Sequence, residues 1–261
     1  MVLHLDDVIY HRTMKSGRTG PAIFQCNCPN GDPAGEYVLK FRGSMDGGVT
    51  SLMCELVASL LAQQLGLLAP EPAIVQLDPA IAQLLPPGED RVSAMIRSSG
   101  GPNFATKVLV GAGIPPVDEP LSVSMRSQAG DVFAFDALTQ NPDRRFDNPN
   151  LLRVSEQLFL IDHETAFSFL YALTVPTPPW HLEQLDFLER HVFYRSLRGK
   201  DIKFDRFAEA LEALSDAKID LIETEIPTEW KNENLEKVLS HIREIRDHAQ
   251  SFVDQVARRL V

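Results

Sequence analysis

One stretch near the middle of the chain, residues 141–148, constrains the fold more than any other. It reads Asn-Pro-Asp-Arg-Arg-Phe-Asp-Asn, which is too rich in Asn, Pro and Asp for a regular helix or strand and therefore predicts a loop. Two short apolar runs within residues 151–161 predict a hairpin whose second strand ends at Asp162. This order is expected to bring Asp143, Asn148 and Asp162 to one end of a small sheet. An acid and an amide held close together can share one divalent cation.

The spacing of these residues resembles the phosphoryl-transfer motif of protein kinases. There the catalytic Asp precedes a metal-binding Asn by five residues, and a second metal-binding Asp lies beyond a hairpin. More narrowly, Asn-x-Asp-Arg-x-x-x-Asn at residues 141–148, followed by Ile161-Asp162, resembles the HipA-like kinases, a bacterial branch of the kinase-like fold. The resemblance implies that Asp143 is the catalytic residue and that Asn148 and Asp162 hold the metal. An Asx-rich turn before an ordinary hairpin is the alternative interpretation.

The chain departs from the family pattern at a few positions. The family loop typically has His after the Arg, where this chain has Arg145. The ordinary kinase triplets His-Arg-Asp and Asp-Phe-Gly are replaced by Asn-Pro-Asp and Asp-His-Glu. The first replacement is normal for HipA relatives, whereas Arg145 leaves the subfamily open.

The predicted strand at residues 36–41 carries a lysine of interest. Alternation puts Tyr37 and Leu39 on one face and Lys40 on the other, pointing into a cleft. Lys40 resembles the strand lysine that binds nucleotide phosphates in kinases. A helix is predicted from about residue 50, and the resemblance implies that its Glu55 pairs with Lys40. The alternatives are a solvated lysine and an exposed acid near a helix N-terminus.

A glycine-containing turn joins the first two predicted strands. Ser16, Gly17 and Gly20 lie in it, and such a turn can present backbone N–H groups to nucleotide phosphates. The pattern is short of G-x-G-x-x-G, so an ordinary hairpin turn is the alternative. The family resemblance also implies autophosphorylation at Ser16 or Thr19.

The resemblance implies an α+β, bilobal, protein-kinase-like fold built as a single domain. The N-terminal lobe is expected to extend to about residue 97, with residues 71–77 and 91–96 as two of its strands, a hinge at 97–102 and a helical C-terminal lobe over 103–261. Helices are predicted from about residue 121 to the loop and near 181–197, 204–216 and 228–260, the last with Thr228 as a cap. Asp136 is expected either to brace the loop from beneath or to be a surface acid.

Composition excludes several classes of protein. The formal net charge of −11 disfavours nucleic acid as a direct substrate. The three cysteines have no zinc-site spacing and are interpreted as reduced thiols of a cytoplasmic protein. The most apolar predicted helix, at 52–68, is too short to span a bilayer, so no membrane association is expected. His181, His191, His241 and His248 share no metal-site spacing, and each is interpreted as a helix-surface or partly buried residue.

The resemblance therefore implies an ATP- and Mg²⁺-dependent kinase that transfers the γ-phosphoryl group to a Ser or Thr hydroxyl. Asp143 would accept the proton, Asn148 and Asp162 would hold Mg²⁺, and Lys40, held by Glu55, would neutralise phosphate charge. One alternative is a kinase for small molecules or lipids. Another is a catalytically silent nucleotide-binding module, partnered for example by a protein encoded nearby. The sequence does not identify the acceptor.

Overall fold

The computed structural model describes residues 1–14, 20–117, 119–172 and 178–261. Contacts between Cα atoms divide these residues into two units. The first unit comprises Met1–Leu56, Pro70–Val110 and Glu225–Lys231. The second unit comprises Val57–Ala69, Gly111–Thr224 and Asn232–Val261.

A five-stranded sheet dominates the first unit. Its strands are β1 (Leu3–Thr13), β2 (Ala22–Asn27), β3 (Pro33–Lys40), β4 (Pro72–Leu77) and β5 (Gly101–Lys107). They are ordered β1-β2-β3-β5-β4, and β4 pairs back with β1 in parallel, so that the sheet closes on itself. Tyr37 and Leu39 are fully buried in its core whereas Lys40 is partly exposed, which confirms the predicted alternation in β3.

Helix α1 spans Val49–Gln64, as predicted, but helix α2 (Asp90–Arg97) replaces a predicted strand. The prediction of a strand at 91–96 was wrong because Val92, Met95 and Ile96 repeat at helical spacing and bury one face against the sheet core. Residues 101 and 102, placed in the predicted hinge, begin β5 and pair with β4.

The segment Glu225–Lys231 belongs to the first unit although the chain on either side of it belongs to the second. Glu225 Oε2 accepts the Val2 backbone N–H at 2.7 Å. Trp230 is fully buried, and its indole N–H donates to Pro102 O at 3.3 Å. The prediction of a helix from Thr228 was wrong, because residues 228–230 form a single 3-10 turn that delivers this indole.

The second unit is mostly helical around one buried helix and one hairpin. Its elements are α3 (Val123–Leu138), β6 (Leu151–Val154), β7 (Gln157–Leu160), α4 (Tyr194–Leu197), α5 (Asp205–Glu212), α6 (Asp216–Thr224), α7 (Glu233–Asp247) and α8 (Ala249–Arg259). The β6–β7 pairing and the helix before the loop confirm two predictions. Every residue of α3 from Ala129 onward is buried, so this helix forms the centre of the unit.

Two further helix predictions were wrong in their bounds. The stretch 181–197 contains only a 3-10 turn at Asp186–Arg190 and the four-residue α4, since Leu185 and His191 have non-helical backbone angles. The single helix expected over 228–260 is two helices, because His248 leaves the helical region at φ −124° and ψ 30°. Asn232, not Thr228, caps α7 by accepting the Asn234 N–H at 2.9 Å.

The three cysteines, Cys26, Cys28 and Cys54, are free thiols. Burial raises the pKa of Cys26 to about 12, and burial with the nearby Glu55 raises the pKa of Cys54 to about 12. Both thiols are therefore protonated near neutral pH and are poor nucleophiles.

Candidate active site

The loop after α3 brings Asp143 and Asn148 together. The Asn148 amide donates to Asp143 Oδ2 at 2.8 Å, and the Asn150 amide donates to the same oxygen at 3.2 Å. The backbone of Asn150 has φ 47°, a conformation that Asn adopts more readily than most residues. Two amide groups thus fix the direction in which the Asp143 carboxylate points.

Asn141 shapes the start of this loop. Its side-chain oxygen accepts the Asp143 backbone N–H at 3.2 Å and the Thr165 hydroxyl at 2.9 Å. Its amide donates to Asp136 Oδ1 at 3.3 Å. Asn141 is 1% exposed, so it acts as an internal brace that orients the backbone just before Asp143.

Arg144 joins the loop to the hairpin exit. Its side chain is buried, and Nη1 donates to the Asn150 carbonyl and to the Ile161 carbonyl, the latter at 3.2 Å. The Ile161 N–H in turn donates to Asn150 O at 3.2 Å. Asp162 therefore directly follows Ile161, whose backbone is hydrogen-bonded to the loop. Its backbone has φ 60°, which is uncommon for a residue other than glycine and concentrates at functional sites.

Asp136, His191 and Arg144 form a buried cluster that supports the loop from α3. Asp136 Oδ2 accepts from Arg144 Nε at 2.6 Å and lies 2.9 Å from His191 Nε2. The Phe193 backbone N–H donates to His191 Nδ1 at 3.2 Å, which makes Nδ1 an acceptor and assigns the proton to Nε2. His191 is thus a neutral imidazole that donates to Asp136.

The pKa values of this cluster agree with that assignment. Burial raises the pKa of Asp136, but the Arg144 charge and the His191 hydrogen bond outweigh it, so the pKa lies below its ordinary value. Burial lowers the pKa of His191, and the Asp136 contact offsets this only in part. Asp136 therefore stays ionised while His191 stays neutral. Of the two expectations for Asp136, the brace is correct and the surface acid is wrong. His191, expected to be a helix-surface or partly buried residue, is 4% exposed and lies outside the helices.

In the first unit, Lys40 and Glu55 form an ion pair. Lys40 is the last residue of β3, opposite Phe104 in β5, and Glu55 lies in α1. The side chains of Lys40 and Glu55 are 12% and 1% exposed. The ion pair fixes the direction of the Lys40 side chain, and the part of Lys40 in nucleotide binding remains a prediction.

The predicted glycine-containing turn is only partly described. Ser16, Gly17 and Thr19 lie outside the described residues. Gly20 is described and has φ 65°, a conformation that favours glycine. The Met14 N–H donates to Pro21 O at 3.0 Å and closes the base of this turn. The contact of these residues with nucleotide phosphates remains a prediction.

The donor set of the loop suits a magnesium ion. The side-chain amide nitrogen of Asn148 donates to Asp143. The side-chain oxygen of Asn148 accepts no hydrogen bond from the described residues. Among those residues no cluster of three or more His, Cys, Asp or Glu could hold a metal ion by itself. Mg²⁺ usually takes one or two carboxylates and completes its shell with phosphate oxygens and waters. Asn148 and Asp162 carry oxygen donors of this kind, and their binding of Mg²⁺ remains a prediction.

Comparison with known proteins identifies the family. A family model described as HipA-like kinase matches residues 7–257. The chain belongs to this family. Membership confirms the predicted resemblance and makes this HipA-like kinase a kinase-like phosphotransferase. A search of curated proteins gave no match.

Among solved structures, this HipA-like kinase is similar to the proinflammatory kinase CtkA of Helicobacter pylori. The TM-score is 0.56 at 12% identity, over 99% of this chain and 98% of that chain. This likeness supports the α+β, kinase-like fold. The complex of Neurospora crassa PAN2 with the PAN3 pseudokinase matches with a TM-score of 0.35 and 11% identity, over 97% of this chain and 64% of that chain, which supports no conclusion. No helix within the described residues is long and apolar enough to cross a membrane.

Proposed function

We propose that this HipA-like kinase transfers the γ-phosphoryl group of ATP to a Ser or Thr hydroxyl of a polypeptide, with Mg²⁺ as the cofactor. The observation that carries the proposal is the use of Asn148. Its amide nitrogen orients Asp143 at 2.8 Å, while its side-chain oxygen accepts no hydrogen bond from the described residues and suits a cation. One side chain thus links the proposed proton acceptor to the proposed metal site.

Asp143 is the proposed acceptor of the hydroxyl proton. Asn148 and Asn150 both donate to Oδ2, which directs the carboxylate and leaves Oδ1 for the incoming hydroxyl and for Arg145, whose Nη2 lies 3.5 Å away. Positioning of this kind and electrostatics supply most of the catalysis in phosphoryl transfer. The proton moves to Asp143 late, as the oxygen–phosphorus bond forms.

Lys40 is the proposed phosphate ligand, and Asn148 and Asp162 are the proposed metal ligands. Glu55 holds Lys40 by an ion pair that is almost wholly buried on the Glu side, which supports a directed ammonium group rather than a solvated one. When bound, Mg²⁺ would neutralise phosphate charge. Gly20 is a further proposed backbone contact for phosphate. Ser16 and Gly17, which lie outside the described residues, belong to the same predicted turn and are proposed for the same role.

The bilobal arrangement and a cytoplasmic location belong to the proposal as well. We extend the N-terminal lobe beyond residue 97 to include β5, because residues 101–107 pair with β3 and β4. The C-terminal lobe then carries Asp143, Asn148 and Asp162.

The test combines binding and transfer. Mg-ATP at one hundred times its dissociation constant is expected to stabilise the fold by about 2.7 kcal/mol, which raises the melting temperature, and EDTA is expected to reverse part of the rise. Labelled ATP with a bacterial lysate is expected to yield phosphoserine or phosphothreonine on proteins. An unchanged melting temperature at millimolar Mg-ATP contradicts the proposal. Label found only in lipid or small-molecule fractions favours a kinase for those acceptors instead.

A further inference from the structure

A cavity of about 360 Å³ lies beside the candidate catalytic loop within the second unit. Arg145, Phe146 and Asp147, which stand between Asp143 and Asn148 in the sequence, form one wall, and residues 189–192 with Arg195 form the other. The two walls are joined through the backbone, since the Val192 N–H donates to Arg144 O at 3.0 Å. The cavity is therefore fixed in position relative to the loop.

The unpaired charge in this cavity is positive. Its two carboxylates already have partners, because Asp147 lies 3.4 Å from Arg145 and Glu189 lies 3.4 Å from Arg259. Arg190 and Arg195 are exposed, and no carboxylate of the described residues lies within ion-pair distance of either. Two arginines without an ion-pair partner on one cavity wall stand out in a chain with net charge −11.

Aromatic contacts hold one of these arginines against the loop. The Arg195 guanidinium carbon lies 6.0 Å from the centre of the Phe146 ring, and this ring is 48% exposed. A cation over an aromatic face loses little hydration and keeps its edge N–H groups for another acceptor. Arg195 is thus positioned, without being neutralised, at the rim of the cavity.

Arg145 connects the cavity to the proposed chemistry. Its side chain lines the cavity and places Nη2 3.5 Å from Asp143 Oδ1. Because Arg145 touches both, the cavity that Arg190 and Arg195 line lies next to the Asp143 carboxylate. Guanidinium groups bind carboxylate and phosphate through paired N–H donors.

We propose that this cavity recognises an anionic side chain of the acceptor polypeptide, a carboxylate or a phosphate, close in sequence to the hydroxyl that is phosphorylated. The inference rests on the proposed function, because only a kinase that phosphorylates polypeptides has such an acceptor. It assigns Arg190 and Arg195 as residues that determine substrate specificity, a role that the motif of the loop does not contain.

The test measures peptide binding without ATP. Four fluorescein-labelled peptides carry one Ser flanked by Glu, by phosphoserine, by Gln or by Lys, and their binding is followed by fluorescence anisotropy. The proteins are wild type, Arg190→Gln/Arg195→Gln, Arg190→Glu/Arg195→Glu and the control Arg258→Glu. Arg258 is also exposed and has no carboxylate partner among the described residues, but it lies in α8 and does not line the cavity.

Wild type is expected to bind the Glu or phosphoserine peptide at least about tenfold more tightly than the Gln peptide, and the Lys peptide most weakly. The double Gln variant is expected to lose about tenfold and the double Glu variant more, while Arg258→Glu retains wild-type binding. The preference is expected to weaken as salt rises, because the arginines are exposed. Tighter binding of the phosphoserine peptide supports the proposal with phosphate as the anion, and tighter binding of the Glu peptide supports it with a carboxylate.

Equal binding of the Glu, phosphoserine and Gln peptides by wild type overturns the inference. Full binding by both double variants, each shown by its melting curve to be folded, also overturns it. Because binding requires no ATP, a chain that binds the anionic peptide but transfers no phosphate contradicts the proposed function alone. A chain that transfers phosphate with no preference for anionic peptides contradicts this inference alone.

Discussion

Arg144 Nε lies 2.6 Å from Asp136 Oδ2, and the two side chains are both fully shielded from solvent. The pair joins the centre of α3 to the loop that carries Asp143. Asp136 also receives hydrogen bonds from Asn141 and His191, so three residues depend on one carboxylate. The loop geometry is therefore set by a buried polar network and not by regular secondary structure.

Breaking this pair is expected to be costly. Arg144→Met leaves the Asp136 charge buried without its main partner, and it should lower the free energy of unfolding by about 3–5 kcal/mol. The double variant Arg144→Met/Asp136→Leu should lose clearly less than the sum of the single changes, because no charge is left uncompensated. Urea denaturation measures both. As a control, Arg243→Met removes the partner of the exposed Asp220 and should cost less than about 1 kcal/mol. Additive single changes at Arg144 and Asp136 would refute the coupling.

Asp143→Asn separates an enzyme from a silent nucleotide-binding module. The substitution preserves size but removes the charge that accepts the hydroxyl proton, so phosphoryl transfer should fall by about a hundredfold or more. ATP affinity should change by less than about tenfold, since the proposed nucleotide contacts lie on Lys40, Asn148 and Asp162. Calorimetry for ATP and labelled-phosphate transfer for turnover are measured on the same protein. Transfer at the wild-type rate would show that the loop is assigned wrongly.

Asp162 is expected to be responsible for most of the magnesium-dependent stabilisation by ATP. Asp162→Asn removes the charge yet tolerates φ 60°, so the unliganded melting temperature should change little while the Mg²⁺-dependent rise is largely lost. Asp162→Ala should lose the same rise and should also lower the unliganded stability by about 1 kcal/mol, because alanine is strained there. Thermal melts with ATP in Mg²⁺ and in EDTA distinguish the two effects. An undiminished rise in Asp162→Asn would remove this residue from the metal site.

The buried His241 is expected to make stability depend on pH. Its Nε2–H donates to Leu138 O at 2.8 Å, and burial lowers its pKa to about 4 against an ordinary value of 6.5. The unfolded chain then binds more protons between pH 6.5 and 4, so this stability is complete above pH 6.5 and is lost as pH falls toward 4. The loss amounts to about 3 kcal/mol over the whole window. His241→Gln should make the decline between pH 7 and 4.5 smaller by about 2 kcal/mol in urea denaturation. An identical decline in the variant would contradict the assignment.

Contacts over short sequence distances could be predicted well. Asp143 and Asn148 are five residues apart in one loop, and the apolar runs beside them specify a hairpin. The pairing of Lys40 with Glu55 could not be predicted from local patterns alone. Strand alternation and helix position place the two residues separately, and only the resemblance to kinases predicts that they pair. The ion pair itself is present. Their roles toward ATP remain predictions.

Contacts over long sequence distances could not be predicted. His191 reaches Asp136 across 55 residues, and no local pattern distinguishes His191 from a histidine on a helix surface. The error at α2 had a different cause. Val92, Met95 and Ile96 fit a helical stripe, but over so short a run an apolar segment with a β-branched residue at each end also suits a strand. A tryptophan at residue 230 could have favoured a later start for the last helix. Only the hydrogen bond from its indole to Pro102 explains the turn at residues 228–230.

The position of Glu225–Lys231 within the first unit has a consequence for synthesis on the ribosome. The chain emerges from its N-terminus, and the sheet of the first unit is made by residue 107. The carboxylate that accepts the Val2 N–H and the indole that bonds to Pro102 are translated more than a hundred residues later. The nascent sheet therefore cannot make these contacts until Trp230 has been translated. A translation product that stops after α6 contains all of the predicted catalytic residues and still lacks the buried tryptophan that bonds to Pro102 of the first unit.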